Sequence, residues 1–229
     1  WFLSKGVPER QLVVTGQPRF DALGRFRERL LSRPTDAGND QPRIVVATSP
    51  IRREIDSRVI RLISAGLIPF QKQIQPIMKL HPGYGTPEFF ASLVRDDGLD
   101  WQIIRHCDLH ELLSGARAVI TTQSTVGLEA IALGKPVIII DLPGIPEAIP
   151  YRQYNSAIMA GNADELSGAI QMILDDNEKL QDIKNSARQF IKDYLYHLDG
   201  RATERVRELI VAEIAANNKE PKAVAYAKI

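Results

Sequence analysis

Thr121–Asp141 reads TTQSTVGLEAIALGKPVIIID. An apolar run, Ala118–Thr122, ends in hydroxyls; a helical segment follows from about Ser124 to Leu133; Gly134 stops it, and KPVIII opens another apolar run. Strand, helix and strand in such short order make a βαβ unit, and that unit sets the fold class. The helix is almost wholly apolar, yet it carries Glu129. An ionised carboxylate in an apolar setting is costly unless something pairs with it.

The pattern continues in both directions. Further strand-like runs lie at Arg43–Thr48 (RIVVAT), Pro76–Leu80 (PIMKL), Gln102–Arg105 (QIIR) and Pro136–Asp141, with a weaker one at Ser156–Ala160 and an outlying one at Leu12–Thr15 (LVVT). Several are continuously apolar rather than alternating, as strands covered on both faces are. Between them, Ile55, Val59, Leu62 and Ile63 share one helical face, and Gly66 suits the position just past that helix. Thr86 and Asn162 are placed as helix caps, Pro87 follows the first, and Leu166, Ile170 and Ile173 form another stripe. The expectation is an α/β, Rossmann-like, doubly wound parallel sheet of about six strands between Arg43 and Ala160.

Two more helices, Asn177–Tyr194 and Ala202–Ala216, follow without a strand, and Val206, Leu209, Ile210 and Ile214 line up along the second. Arg33–Pro42 (RPTDAGNDQP) reads as a linker, and the tail from Asn217 has no period and reads as frayed. The organisation expected is an approach segment and linker over 1–40, a main domain over 41–195, a closing helix over 196–216 and the tail 217–229. The chain opens at Trp1, in what reads as the middle of an element, and is expected to be a piece of a longer protein.

Net charge is +1 over 229 residues, so electrostatics gives no reason to expect nucleic acid or a membrane surface as partner. The longest apolar runs are of strand length. One cysteine, Cys107, cannot form an internal disulfide and fits a reducing cytoplasm.

Three stretches could carry chemistry. A helix starting at Ser124, at the C-terminal edge of a parallel sheet, offers free N–H groups and positive dipole to a phosphate. Ser124 and Thr125 add hydroxyls, and Glu129 lies far enough along to accept bonds from vicinal ribose hydroxyls. In that reading Glu129 faces a cleft and stays hydrated until ligand arrives. The plainer alternative is a capping Ser124, with Glu129 paired to Lys135 or solvent. In MKLHPG (Met78–Gly83), Lys79 and His81 share one strand face beside a Pro-Gly turn, where they could meet a diphosphate or form an ordinary polar turn. HCDLH (His106–His110) contains metal-ligating residue types, but it straddles a strand-to-helix junction; Asp108 as a helix cap fits better, with His110 near the helix start. GYGTPE and GKP lack the spacing of the dinucleotide and P-loop glycine motifs.

Taken in order, GVPERQLVVTGQPRFDAL (Gly6–Leu23), KLHPG, the Thr121–Asp141 stretch and LDGRATERVRELI (Leu198–Ile210) resemble the C-terminal, donor-binding half of GT-B glycosyltransferases. The group includes surface-polysaccharide enzymes, UDP-N-acetylglucosamine 2-epimerases and CDP-glycerol glycerophosphotransferases. The resemblance implies a glycosyltransferase moving a sugar from a UDP-, CDP- or CMP-linked donor to a glycan or lipid-linked acceptor. It implies His81, Ser124 and Thr125 at the donor phosphates and Glu129 at the ribose, with Lys79 and Gln123 completing the substrate site. Catalytic residues are expected in an N-terminal domain outside this chain, and no metal or cofactor is expected. The location implied is cytoplasmic, with room for peripheral attachment at the inner face of the membrane. STVGLEA departs from the glycine pair and double glutamate of the epimerases, and TTQST from the aspartate-tyrosine-serine lead of the glycerophosphotransferases.

Overall fold

The computed structural model describes residues 2–31, 41–50 and 52–217. The linker 33–42 expected from composition falls mostly outside these residues, as does the tail from 218. The chain divides into two compact units, residues 34–194 and residues 1–33 with 195–229.

The larger unit holds one sheet. Its strands are β1 (Arg43–Ala47), β2 (Gln75–Lys79), β3 (Gln102–Ile104), β4 (Ala118–Thr121), β5 (Val137–Ile140) and β6 (Ile158–Ala160). They lie in the order β3-β2-β1-β4-β5-β6, and every pairing is parallel. The register sets Val45 opposite both Ile77 and Val119, and Ile139 opposite Thr121 and Met159.

The helices are α1 (Asp21–Leu31), α2 (Arg53–Leu67), α3 (Pro87–Val94), α4 (Leu109–Ser114), α5 (Thr125–Ala132), α6 (Ala163–Asp175), α7 (Glu178–Leu195) and α8 (Ala202–Asn217). Ile44, Val46, Ile120, Ile138 and Ile140 of the sheet join Ile60, Ile63, Phe90, Leu166 and Ile170 in one buried cluster. The intervening strand positions Val45, Val119, Val137 and Ile139 are also buried. Both faces are therefore covered, which is why these strands are continuously apolar. The expected doubly wound sheet is present.

Caps stop and start the helices much as the sequence indicates. The side chains of Thr86, Asp108, Ser124 and Asn162 each accept a bond from a backbone N–H in the first turn of their helices. Gly134 ends α5 region geometry with φ +75. Gly66 is a correction. Helix α2 continues past it to Leu67, and a β-carbon there would lie 2.7 Å from the Leu166 side chain of α6. It is a close-packing glycine, not a stop. Leu12–Thr15 is a second correction: it is not a strand, and Val13 and Val14 are exposed. An apolar run without a paired edge does not make a strand.

In the smaller unit Asp21, at the start of α1, caps α8 from a distance: its carboxylate accepts bonds from Ala202 N (2.9 Å) and Thr203 N (2.8 Å). On α8, Leu209, Ile210, Val211 and Ile214 are exposed. Among the described residues no helix is long and apolar enough to cross a membrane.

Candidate functional site

The strand order reverses between β1 and β4, and loops leaving those two strands diverge there. Open α/β sheets bind ligands in the crevice that this divergence leaves at the carboxyl edge. The loops bordering it follow β1, β2 and β4, and they are tied together. Thr122 Oγ1 donates to Ser49 Oγ (2.9 Å), joining the loops after β4 and β1. The backbone N–H of His81 donates to Thr48 Oγ1 (2.9 Å), joining the loops after β2 and β1.

His81 stands just past the end of β2. Its Nδ1 accepts from Gly83 N (3.3 Å), so the proton of the neutral ring lies on Nε2. That leaves an N–H donor oriented by the Pro82-Gly83 turn, a fitting partner for an anionic oxygen. Lys79, grouped with His81 by the strand pattern, is buried, and its ammonium donates to the carbonyl of Leu80 (2.7 Å).

At the end of β4, Ser124 Oγ accepts from Val126 N (3.3 Å) as an N-cap, while its hydroxyl hydrogen can still be offered outward. Thr125 opens α5. Gln123 does not project as an isolated side chain: its Oε1 accepts from the N–H groups of Ala148 (3.2 Å) and Ile149 (3.0 Å). The Tyr151 hydroxyl donates to Ser124 O (2.9 Å). The long loop after β5 is thus clipped to the 123–124 turn. Tyr151 is fully buried, and burial pushes its phenol well above the ordinary range.

Glu129 departs from the expectation of an open, hydrated carboxylate. It is 6% exposed, on a helix whose residues Gly127–Ala132 are all buried. Its Oε2 lies 3.2 Å from Nε2 of His110 on α4. Sequence reading put His110 near a helix start but could not see this pair, because it depends on α4 packing against α5.

A second polar contact was also illegible in sequence. Asp56, on the first turn of α2, accepts a bond from the Tyr84 hydroxyl (2.8 Å) in the loop that carries His81. Burial raises the Asp56 carboxyl, though the Tyr84 bond pulls the other way. Burial, and then the bond to Asp56, push the Tyr84 phenol up to about 12.

Comparisons with known proteins bear on the fold. Residues 102–190 match the sequence family described as "Glycosyl transferases group 1". No curated protein matches the chain. Among solved structures, the S. aureus MnaA–UDP co-structure superposes with TM-score 0.67 at 17% identity, over 96% of this chain and 59% of that one. UDP-GlcNAc 2-epimerase from Neisseria meningitidis, bound to UDP-GlcNAc, gives 0.67 at 17%, over 92% and 58%. A glycosyltransferase from Rickettsia africae ESF-5 gives 0.56 at 17%, over 94% and 62%. The architecture is the C-terminal half of a GT-B fold. The chain spans less than two thirds of each of these structures. The fold is therefore glycosyltransferase-like.

Proposed function

We propose that this chain is the donor-binding half of a glycosyltransferase that takes a sugar from a nucleotide-sugar, a UDP-sugar first among the candidates. The reading rests on the carboxyl edge of the sheet. There His81 offers Nε2–H, Ser124 and Thr125 head α5, and Glu129 follows one turn later. His81 and the start of α5 bind the donor phosphates, and Glu129 accepts the ribose hydroxyls. Lys79 and Gln123 hold their loops rather than the ligand, since each already bonds backbone groups of its surroundings. The acceptor is a glycan or lipid-linked sugar, and the groups that activate it come from a further N-terminal domain.

The UDP and UDP-GlcNAc bound in two of the similar structures favour uridine as the base. One of those structures is a 2-epimerase, which keeps epimerisation of UDP-GlcNAc as the second reading. Incubation of UDP-GlcNAc with this chain joined to that N-terminal domain, followed by NMR for the 2-epimer, separates the two.

Glu129→Ala tests the site. Hydrogen bonds to a charged acceptor are each worth roughly 1.5–3 kcal/mol, so the variant weakens UDP binding at least about tenfold in calorimetry. Unchanged affinity would remove Glu129 from the site and leave it as a structural partner of His110.

A further inference from the structure

Helices α4 and α5 both begin at the carboxyl edge of the sheet and run away from it. Glu129 belongs to the second turn of α5, but side chains on a helix lean back toward its N-terminus. His110 belongs to the first turn of α4, directly after the Asp108 cap. A contact of 3.2 Å between the two therefore sets the Glu129 carboxylate at the level of the start of α4, although the residue is buried. His110 is the more accessible partner, with its side chain 22% exposed against 8% for Glu129.

We infer that His110 is a positioning residue for nucleotide recognition: its Nε2–H holds the Glu129 carboxylate in the one orientation that presents it to a ribose diol. This inference rests on the nucleotide reading of the site. Two arguments carry it. A glutamate has three rotatable side-chain bonds, so an unheld carboxylate must lose that freedom when it grips two hydroxyls at once. A partner that fixes it beforehand lowers that cost, as preorganisation does generally. The imidazole also supplies a carboxylate on an apolar helix with the hydrogen-bond partner that its burial requires. Histidine that orients a carboxylate is the mirror of the carboxylate that orients a metal-bound histidine.

The inference separates His110 from an ordinary packing residue, because it ties His110 to the ribose and to nothing else on the ligand. The experiment compares UDP with 2′,3′-dideoxy-UDP by calorimetry on the full chain and on Glu129→Ala, His110→Ala and His110→Gln. Wild type prefers UDP by about tenfold or more, and Glu129→Ala binds the two almost equally. His110→Ala loses most of that preference, falling to roughly two- to threefold, with dideoxy-UDP affinity unchanged. His110→Gln, whose Nε2 can donate to the same oxygen, restores it.

If Glu129→Ala abolishes the preference while His110→Ala keeps it, the inference is overturned and the nucleotide reading stands. Equal weakening toward both nucleotides in His110→Ala, or tighter binding of UDP, also overturns it. The first would make His110 structural, and the second would make it a competitor of the ribose. A preference that survives Glu129→Ala, or a wild-type chain that binds none of UDP, CDP and CMP, overturns the ribose assignment and this inference with it.

Discussion

Asp56 shows how a single residue at the crevice trades stability for position. It is 4% exposed, with the Tyr84 hydroxyl 2.8 Å from its Oδ2. Burial raises its carboxyl above the ordinary value, Tyr84 opposes this, and Glu54 adds to it. A carboxyl raised in the folded state is a cost of folding at any pH above that raised value. The cost fades as pH falls through it and is absent below the unfolded value. Asp56→Asn keeps an oxygen to accept from Tyr84 and removes the buried charge. The variant should melt higher than wild type at pH 7, with the gap closing as the pH is lowered into the carboxylate range. Thermal melts across pH check this. A variant that melts lower at pH 7 would mean that the charged form of Asp56 has a favourable partner. Tyr84 gives the pair its purpose, since it anchors the loop that presents His81.

Helix α5 is the element on which the site turns, and Gly127 is the place where it can be broken. A β-carbon at Gly127 would lie 2.5 Å from the Tyr151 hydroxyl and 3.1 Å from Cζ. Two effects compete. Alanine is the better helix former by about 1 kcal/mol. Overpacking a closed site costs typically 1–3 kcal/mol, and Tyr151 has no room to retreat: it is fully buried and packs edge-on to Phe190 at 5.8 Å. The clash wins. Gly127→Ala should lose up to about 2 kcal/mol in urea unfolding, and Tyr151→Phe in the same chain should recover part of it by removing the clashing oxygen. A gain in stability from Gly127→Ala alone would show that the Tyr151 ring can move. The same helix shows what sequence could convey. Its start at Ser124, its end before Gly134 and its apolar character were legible, because caps, breakers and periodicity act locally. The partner of Glu129 was not, because His110 arrives from a helix separated in sequence and only packing brings the two together. Gly66 was misread for the same reason: a stop and a close approach look alike until Leu166 is seen beside it. Leu12–Thr15 shows the converse, an apolar run with strand composition that finds no neighbour to pair with.

At the scale of the whole molecule, each compact unit has its own source of order. In the smaller one, burial pushes the Asp21 carboxyl up, but bonds from the Thr203 side chain and backbone and from Ala202 N–H, with Arg25 nearby, outweigh it and leave it below the ordinary value. A carboxyl lowered in the folded state gives stability above its unfolded value that is lost as pH falls through the folded one. Asp21→Ala should cost about 1–2 kcal/mol, as loss of a helix cap does, and the cost should shrink in acid. Urea melts at neutral and acid pH would test it, and a pH-independent difference would point to packing instead.

The larger unit makes the stronger claim. Every strand of the sheet, and His81, His110, Ser124, Thr125 and Glu129, lie within residues 41–195. Its core runs from Ile44 to Ile191 and is closed on both faces of the sheet. A piece of about 150 residues buries around 70% of the surface its unfolded chain exposes, enough for independent stability. The chain cut to 41–195 should therefore unfold in one cooperative transition. It should bind UDP within about twofold of the full chain, since the proposed contacts are all retained. Saturating UDP at about a hundred times its dissociation constant should then stabilise the piece by about 2.7 kcal/mol. A cooperative melt with UDP affinity lost would place part of the nucleotide site in the smaller unit. A piece with no cooperative melt would mean that the sheet depends on chain outside 41–195, and the division into two units would not be one of folding.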